Sequence, residues 1–345
     1  MRKLLSTTIL AASLCLPASA ALAKGQLSIF HWFEYIPQEV LDKFSEEFDV
    51  DVTMDTYSNN EEMLAKLKAG GIGTYDVSVP GDYMVQIMRT EGLLDTIAPG
   101  ELSNKGNIMA EWANTEFDPG RKHSIPYQWG STSFQVNTEL YKKKIDSVAV
   151  LFDPPAALSG RINMLDSQSE VMLMASLYMG IPQCSQDRHQ LLALNDMLQN
   201  SKHHWASFNS DNARESLESG DVHLTMIFDG MAAKARRKQP HLHYLFPKEG
   251  YPVWMDNVVL LKDAPNRANA IKFMDFLLRP EIIAQITNWT NYSSGVEGTE
   301  KYLKPDLATQ PETNPPHSAG MPVFVKVCDQ KTQEVYDKIW TNLKK

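Results

Sequence analysis

From Gln26 to Thr90 the sequence alternates three times between a strand-like and a helix-like segment, and this pattern constrains the fold more than any other feature. Gln26 to Trp32 is a short apolar strand. Gln38 to Phe48, just after Pro37, places Val40, Leu41, Phe44 and Phe48 on one helical face. Val50 to Tyr57 is a second strand, with Val50, Val52 and Met54 alternating. Ser58-Asn59-Asn60-Glu61 fits a capping box ahead of a helix over Glu62 to Ala69, which stops at Gly70-Gly71. Tyr75 to Val79 is a third strand, closed by Pro80-Gly81, and Asp82 to Thr90 a third helix. Such spacing predicts a parallel sheet with helices on both faces. Ligands of these sheets sit beyond the carboxyl ends of the strands.

Several expected strand ends carry aromatics beside polar groups. The first ends His31-Trp32-Phe33-Glu34-Tyr35 and the third Pro80-Gly81-Asp82-Tyr83. Tyr127-Gln128-Trp129-Gly130 leads into a strand expected over Ser131 to Val136, and Trp254-Met255-Asp256 into one over Asn257 to Leu261. From Asn266 onward the chain reads as largely helical, with Ala270, Phe273, Met274, Phe276 and Leu277 as a buried stripe. A proline-rich stretch at Pro311 to Pro316 precedes a last helix expected over Val325 to Lys344.

The first residues are read as a processing segment. Arg2 and Lys3, an apolar run from Leu4 to Leu16, and the small residues up to Ala23 fit a signal peptide cleaved after Ala23. The run is too short, and too soon interrupted by Pro17, to span a bilayer. Cys15 raises lipidation as an alternative, disfavoured by Leu14 before it and by its place inside the apolar run. Removing Arg2 and Lys3 takes the net charge from −9 to −11, which argues against nucleic-acid binding and suits a cationic ligand as well as simple solubility. Cys184 and Cys328 then remain, and an oxidising compartment permits a bridge without requiring one.

Catalytic signatures are missing. No GxSxG elbow, Walker loop or HExxH occurs, and His203-His204 and His241-Leu242-His243 lack a zinc pattern, so no enzyme, cofactor or metal is expected. What remains is aromatics paired with carboxylates: Trp32 with Glu34 and Tyr35, Asp82 with Tyr83, Trp254 with Asp256. An alkylammonium ligand needs this combination. Its methylenes lose water against indole and phenol faces, which also attract the ammonium groups, and carboxylates accept charge-assisted hydrogen bonds from each end. Taken singly, the tryptophans also suit a core, and Glu34 or Asp82 a solvated loop or a helix start.

Over essentially all of the mature sequence the chain resembles the extracellular solute-binding proteins for spermidine and putrescine, the polyamine receptors of ABC importers. The matching stretches include His31 to Pro37, Tyr75 to Pro80, Ser124 to Gly130, Leu165-Asp166-Ser167 to Glu170-Val171, Ser207 to Asp211, Phe246 to Gly250, Trp254 to Asp256 and Phe276 to Pro280. The resemblance implies an α/β, two-lobed periplasmic binding protein fold, each lobe a mixed, mostly parallel sheet flanked by helices, joined by hinge strands. Residues 24–131 and 255–300 would form the first lobe, and 132–254 and 301–345 the second. Cys184 and Cys328 would then share a lobe. It further implies a periplasmic monomer with no membrane span, a polyamine ligand and an inner-membrane ABC permease as partner.

Site residues carry over singly. Trp32 and Tyr35 match the family's first aromatic wall, with Glu34 between them. Tyr83 matches the aromatic after the third strand, and Glu170 a carboxylate that takes an amine from the second lobe. Trp254 and Asp256 match the strongest aromatic–carboxylate pair, with Asp256 as main anchor. Tyr292 matches a late aromatic and Ser210 a weaker polar contact. Four departures stand out: Phe33 for a small hydroxyl residue, Ser167 for a second carboxylate, Phe228 for a tryptophan, and Lys326 for a glutamine. One acid fewer and one base more lean toward a diamine such as putrescine over spermidine. The alternatives are a different small amine or other solute, or a ligand sensor on the same fold.

Overall fold

The computed structural model describes residues 24–307 and 309–345; the signal peptide expected over 1–23 lies outside them. In chain order the elements are β1 (Gly25–Trp32), α1 (Gln38–Phe48), β2 (Val50–Tyr57), α2 (Asn60–Lys66), β3 (Val77–Ser78), α3 (Asp82–Thr90) and β4 (Ser124–Asn137). There follow α4 (Ala149–Phe152), β5 (Ile162–Met164), α5 (Gln168–Met179), α6 (Arg188–Ser201), β6 (Trp205–Phe208), α7 (Ala213–Ser219), β7 (Leu224–Phe228), α8 (Asp229–Lys238), β8 (Leu242–Leu245) and β9 (Tyr251–Leu260). The chain ends with α9 (Arg267–Leu277), α10 (Pro280–Thr290), β10 (Ser293–Ser294), β11 (Pro322–Phe324) and α11 (Gln330–Leu343). Among the described residues no helix is long and apolar enough to cross a membrane.

The strands follow the order β2-β1-β3-β9-β4-β7-β5-β6, with β8 and β10 on β4 and β11 on β9. β1 pairs in parallel with β2 and β3, as β5 does with β6 and β7; the pairings of β3 with β9, and of β4 with β9, β7, β8 and β10, are antiparallel. Each half is thus a parallel wing, and the centre is antiparallel. β1 shows why the wing is parallel. Its alternating residues serve two apolar layers, Leu27 and Ile29 against α1, α9 and α10, and Phe30 against Met63, Met84 and Met88. A strand covered on both faces is typical of parallel sheets.

The cores separate along the same line. One draws on residues from Leu27 to Tyr127 and again from Trp254 to Val296. The other runs from Phe134 to Tyr244, with Tyr336, Ile339 and Leu343 of α11 closing it. β4 belongs to both. Its first half, Ser124 to Ser131, pairs with β9, and from Thr132 onward it pairs with β7 and β8.

Three expectations need correction. Tyr127 to Gly130 do not precede a strand but lie inside β4, and Trp254 to Asp256 lie inside β9. Pro126 and Gly130 look like breakers, yet a register shift between Pro126 and Gln128 absorbs the first. At Gly130 the strand needs the missing side chain, since a Cβ would lie 2.5 Å from Asp229 Oδ1 and 2.9 Å from Trp254 Cζ2. The second correction is a one-residue shift of the cap. Asn59, not Ser58, caps α2, accepting from Glu62 N–H at 2.8 Å, while Glu62 accepts from Ser58 N–H at 3.0 Å. Third, the last helix starts at Gln330, where Asp329 accepts from Lys331 and Thr332 N–H. The residues before it are held otherwise, by β11 pairing with β9 and by a disulfide between Cys184 and Cys328, 144 positions apart in sequence.

Candidate ligand-binding cleft

Between the two halves lies a cavity of about 100 Å³, small beside the ~300–1,000 Å³ of pockets for drug-sized ligands. All ten expected site residues line it: Trp32, Glu34, Tyr35, Tyr83, Glu170, Ser210, Phe228, Trp254, Asp256 and Tyr292. They come from the end of β1 and the turn after it, the start of α3, the first turn of α5, the loop after β6, the end of β7, the middle of β9 and the loop after α10.

The turn after β1 sets the first wall. Glu34 adopts a left-handed backbone, φ 48°, so Trp32 and Tyr35 both reach the cleft while Phe33 stays 53% exposed. Trp32 donates its indole N–H to the Val79 carbonyl at 2.7 Å and leans on Tyr57, centroids 4.7 Å apart. A separate run of edge-to-face contacts links Tyr35 to Tyr292 at 5.4 Å, Tyr292 to Trp254 at 5.2 Å and Trp254 to Phe228 at 5.7 Å. These are favourable aromatic geometries. The Trp254 N–H donates to Thr132 Oγ1 at 3.1 Å, so the indole is fixed against β4. Phe228 keeps the apolar edge and needs no indole N–H here.

Carboxylates supply the polarity. Asp256 is buried in β9, opposite Gln128 of β4. Burial first, then the charges of Asp82 and Glu170, hold its pKa well above the usual range; Tyr35 works the other way. Glu170 is buried with one oxygen, Oε2, lacking any hydrogen-bond partner, and burial pushes its pKa up to about 8. Asp82, which the sequence paired with Tyr83, has a more structural position. It accepts Tyr83 N–H at 2.6 Å and Met255 N–H at 3.3 Å, tying α3 to β9, and burial raises it to about 7. The Tyr35 hydroxyl is buried without a hydrogen-bond partner, and the nearby Asp256 charge adds to the burial that raises its pKa.

Contacts cross the cleft. Ser58 Oγ donates to Asp211 at 2.8 Å, the Tyr83 and Ser169 hydroxyls meet at 3.1 Å, and Arg214 faces Glu34 at 3.9 Å. The halves therefore stand closed on one another.

The departures sort differently from their alignment. Ser167 lines the cleft beside Ser169, at 3.4 Å. Lys326 does not line it: the residue is exposed along an adjoining groove, and its neighbour Val325 faces the cleft instead. The cation that does line the cleft is Lys234 on α8, a helix whose basic run Lys234, Arg236, Arg237 and Lys238 gives no cue in sequence. Met231, Asn60 and Asp211 were also not singled out. Five carboxylates thus line the cavity, from Glu34, Asp82, Glu170, Asp211 and Asp256, against one lysine. No histidine or cysteine is among the lining residues, and no metal-holding cluster of His, Cys, Asp or Glu occurs among the described residues.

Two halves sharing long central strands around one closed cleft define a two-lobed binding-protein fold. The chain belongs to the bacterial extracellular solute-binding protein family, whose profile matches residues 39–315. It is 34% identical over 311 residues to the spermidine/putrescine-binding periplasmic protein of Escherichia coli strain K12, covering 89% of each chain. A putrescine/cadaverine-binding protein of Pseudomonas aeruginosa is 28% identical over all of this chain and 99% of its own. Among solved structures, the spermidine/putrescine ABC transporter substrate-binding protein PotD of Streptococcus pneumoniae superposes with a TM-score of 0.74 at 28% identity, covering 93% of this chain and 98% of that one. A chain from Listeria monocytogenes superposes at 0.86 with 26% identity, covering 93% and 99%.

Proposed function

We propose that this protein captures a polyamine in the periplasm and delivers it to an ABC importer of the inner membrane, acting as a monomer after removal of a signal peptide ending at Ala23. The observation that carries this reading is the cleft lining: five carboxylates against one lysine, set in a run of edge-to-face aromatics. Asp256 anchors one ammonium and Glu170, with its unpartnered oxygen, takes the other. The methylene chain lies against Trp254, Tyr35 and Tyr292, with Trp32, Tyr83 and Phe228 completing the apolar walls and Glu34 and Ser210 the polar rim. The relatives' printed ligands, spermidine, putrescine and cadaverine, support the same chemical class.

The lobes divide as 24–131 with 255–300 and 132–254 with 301–345. The switch of β4 from β9 to β7 after Ser131 and the separate cores favour those limits. A ligand bridging both walls stabilises the closed form, because only that form removes water from both sides of it at once. The closed form then docks on the permease.

Isothermal titration calorimetry of refolded protein, freed of co-purified ligand, with putrescine, spermidine and spermine tests the reading. Micromolar or tighter binding to one of them is expected. Silence with all three would mean that the cleft takes a different solute.

A further inference from the structure

Lys234 stands alone as a cation among residues that otherwise supply negative charge to the cleft. It lies one turn after Met231 on α8, and both line the cavity. Its ammonium sits 4.1 Å from the centre of the Trp289 ring, on α10 of the opposite half. That cation–π contact ties the ammonium to the opposite half. The carboxylate that would best neutralise it, Glu34, faces Arg214 at 3.9 Å, and Arg214 also engages Glu215 and Glu218. This end of the cleft is therefore supplied with cations already. Asp256 and Glu170 are the opposite case: Asp256 feels the charges of Asp82 and Glu170, Glu170 feels those of Asp82 and Glu61, and neither makes an ion pair. Burial, then Arg214, lowers the Lys234 pKa to about 8, which still leaves it mostly charged at neutral pH.

We infer that Lys234 is a specificity-determining residue that limits the cleft to short diamines, by placing a fixed positive charge where the third ammonium of a triamine would have to lie. The inference rests on the polyamine reading and deepens it. A diamine satisfies its two charges at the acidic end. A triamine of the spermidine type is longer, and its additional ammonium meets a like charge in a partly dehydrated site, where repulsion is poorly screened.

The test is calorimetric titration of the wild-type chain, Lys234→Gln, Lys234→Met and Lys234→Arg with putrescine and spermidine, each variant's fold checked by its thermal melt. The wild type should bind putrescine more tightly than spermidine. Lys234→Gln and Lys234→Met should each move the ratio of the two constants toward spermidine by about tenfold or more. Lys234→Arg, which keeps the charge, should leave the ratio near its wild-type value. Wild-type preference for spermidine, an unchanged ratio in the neutral variants, or an equal shift in Lys234→Arg would each overturn the inference while leaving polyamine binding intact. Binding of neither amine by any form would overturn both.

Discussion

Ser58, one residue past β2, donates its hydroxyl to the Asp211 carboxylate at 2.8 Å, and the two residues sit on opposite walls of the cleft. With Tyr83 against Ser169 and Arg214 against Glu34, the pair belongs to a set of contacts made only when the halves close. Such contacts add to closure whether or not ligand is present. Ser58→Ala together with Tyr83→Phe should weaken ligand binding by about fivefold or more, since a neutral hydrogen bond contributes about 0.5–1.5 kcal/mol and one to a carboxylate more. Titration calorimetry reads the loss. Small-angle scattering of the ligand-free double variant should show a larger radius of gyration than the wild type.

Asp256→Asn should cost more than about 2 kcal/mol of amine affinity, since a desolvated ammonium then lacks its charged partner. Trp254→Ala should cost a comparable amount through lost apolar area and lost support for Tyr292 and Phe228, which it touches edge-on. A variant pair that titrates like the wild type would remove both residues from the site.

Protonation should couple to binding. Burial raises Glu170 from 4.5 to about 8 and Asp256 well above its ordinary 3.8 in the ligand-free protein. An ammonium stabilises the charged forms, so binding releases protons near neutral pH, and affinity should rise with pH from about 6 to about 8.5. Titrations in buffers of different ionisation heat count the protons. The ligand-free protein carries the opposite sign. Its buried acids hold protons that the unfolded chain has lost, so their stabilisation is present below pH 4.5 and lost as pH rises through about 8. Melts between those values should decline, and Glu170→Gln should flatten the decline.

The disulfide fixes the segment that carries Val325 to the cleft, because Cys328 lies three positions beyond it and Cys184 is set in the loop between α5 and α6. Cys184→Ser with Cys328→Ser, or reduction of the wild type, should lower stability by about 2–5 kcal/mol. Ligand affinity should fall as well, since the Val325 wall is no longer held. Melts with and without reductant, paired with titrations, separate the two effects.

Gly130→Ala tests the strand crossing. The new methyl would meet Asp229 and Trp254 inside 3 Å, and overpacking of this kind costs about 1–3 kcal/mol. The displaced indole should also lower ligand affinity, which a purely local strain would not do.

The regular wing of the fold could be read from the residues because its cues are local. Pro37 before α1, alternating Val50 and Val52, and Pro80-Gly81 before α3 each act within a few positions. The long central strands could not, because Pro126 and Gly130 punctuate β4 in the sequence and only the register shift and the close approach of Asp229 explain why pairing continues. At the site, the aromatic–carboxylate pairs were legible because such residues are unusual beside strand ends. Whether Lys326 faces the cleft was not legible, because its segment is an exposed strap set by a three-residue strand and a disulfide, neither of which fixes which neighbour turns inward. Lys234 gave no signal at all. On a helix with Arg236, Arg237 and Lys238 it looks like one more solvated base, and only the docking of α8 beside Trp289 distinguishes it.

β9 carries Trp254 and Asp256 in its middle, while its flanking residues pair with β4 at the crossing between halves. With Asp256 as the proposed anchor, a strand shared by the two halves would also be the one that grips the solute. Prying the halves apart would then twist the anchor itself, so opening and ejection would be a single mechanical event with no relay between them. A transporter that binds this protein needs only to separate its two ends for the cargo to fall free.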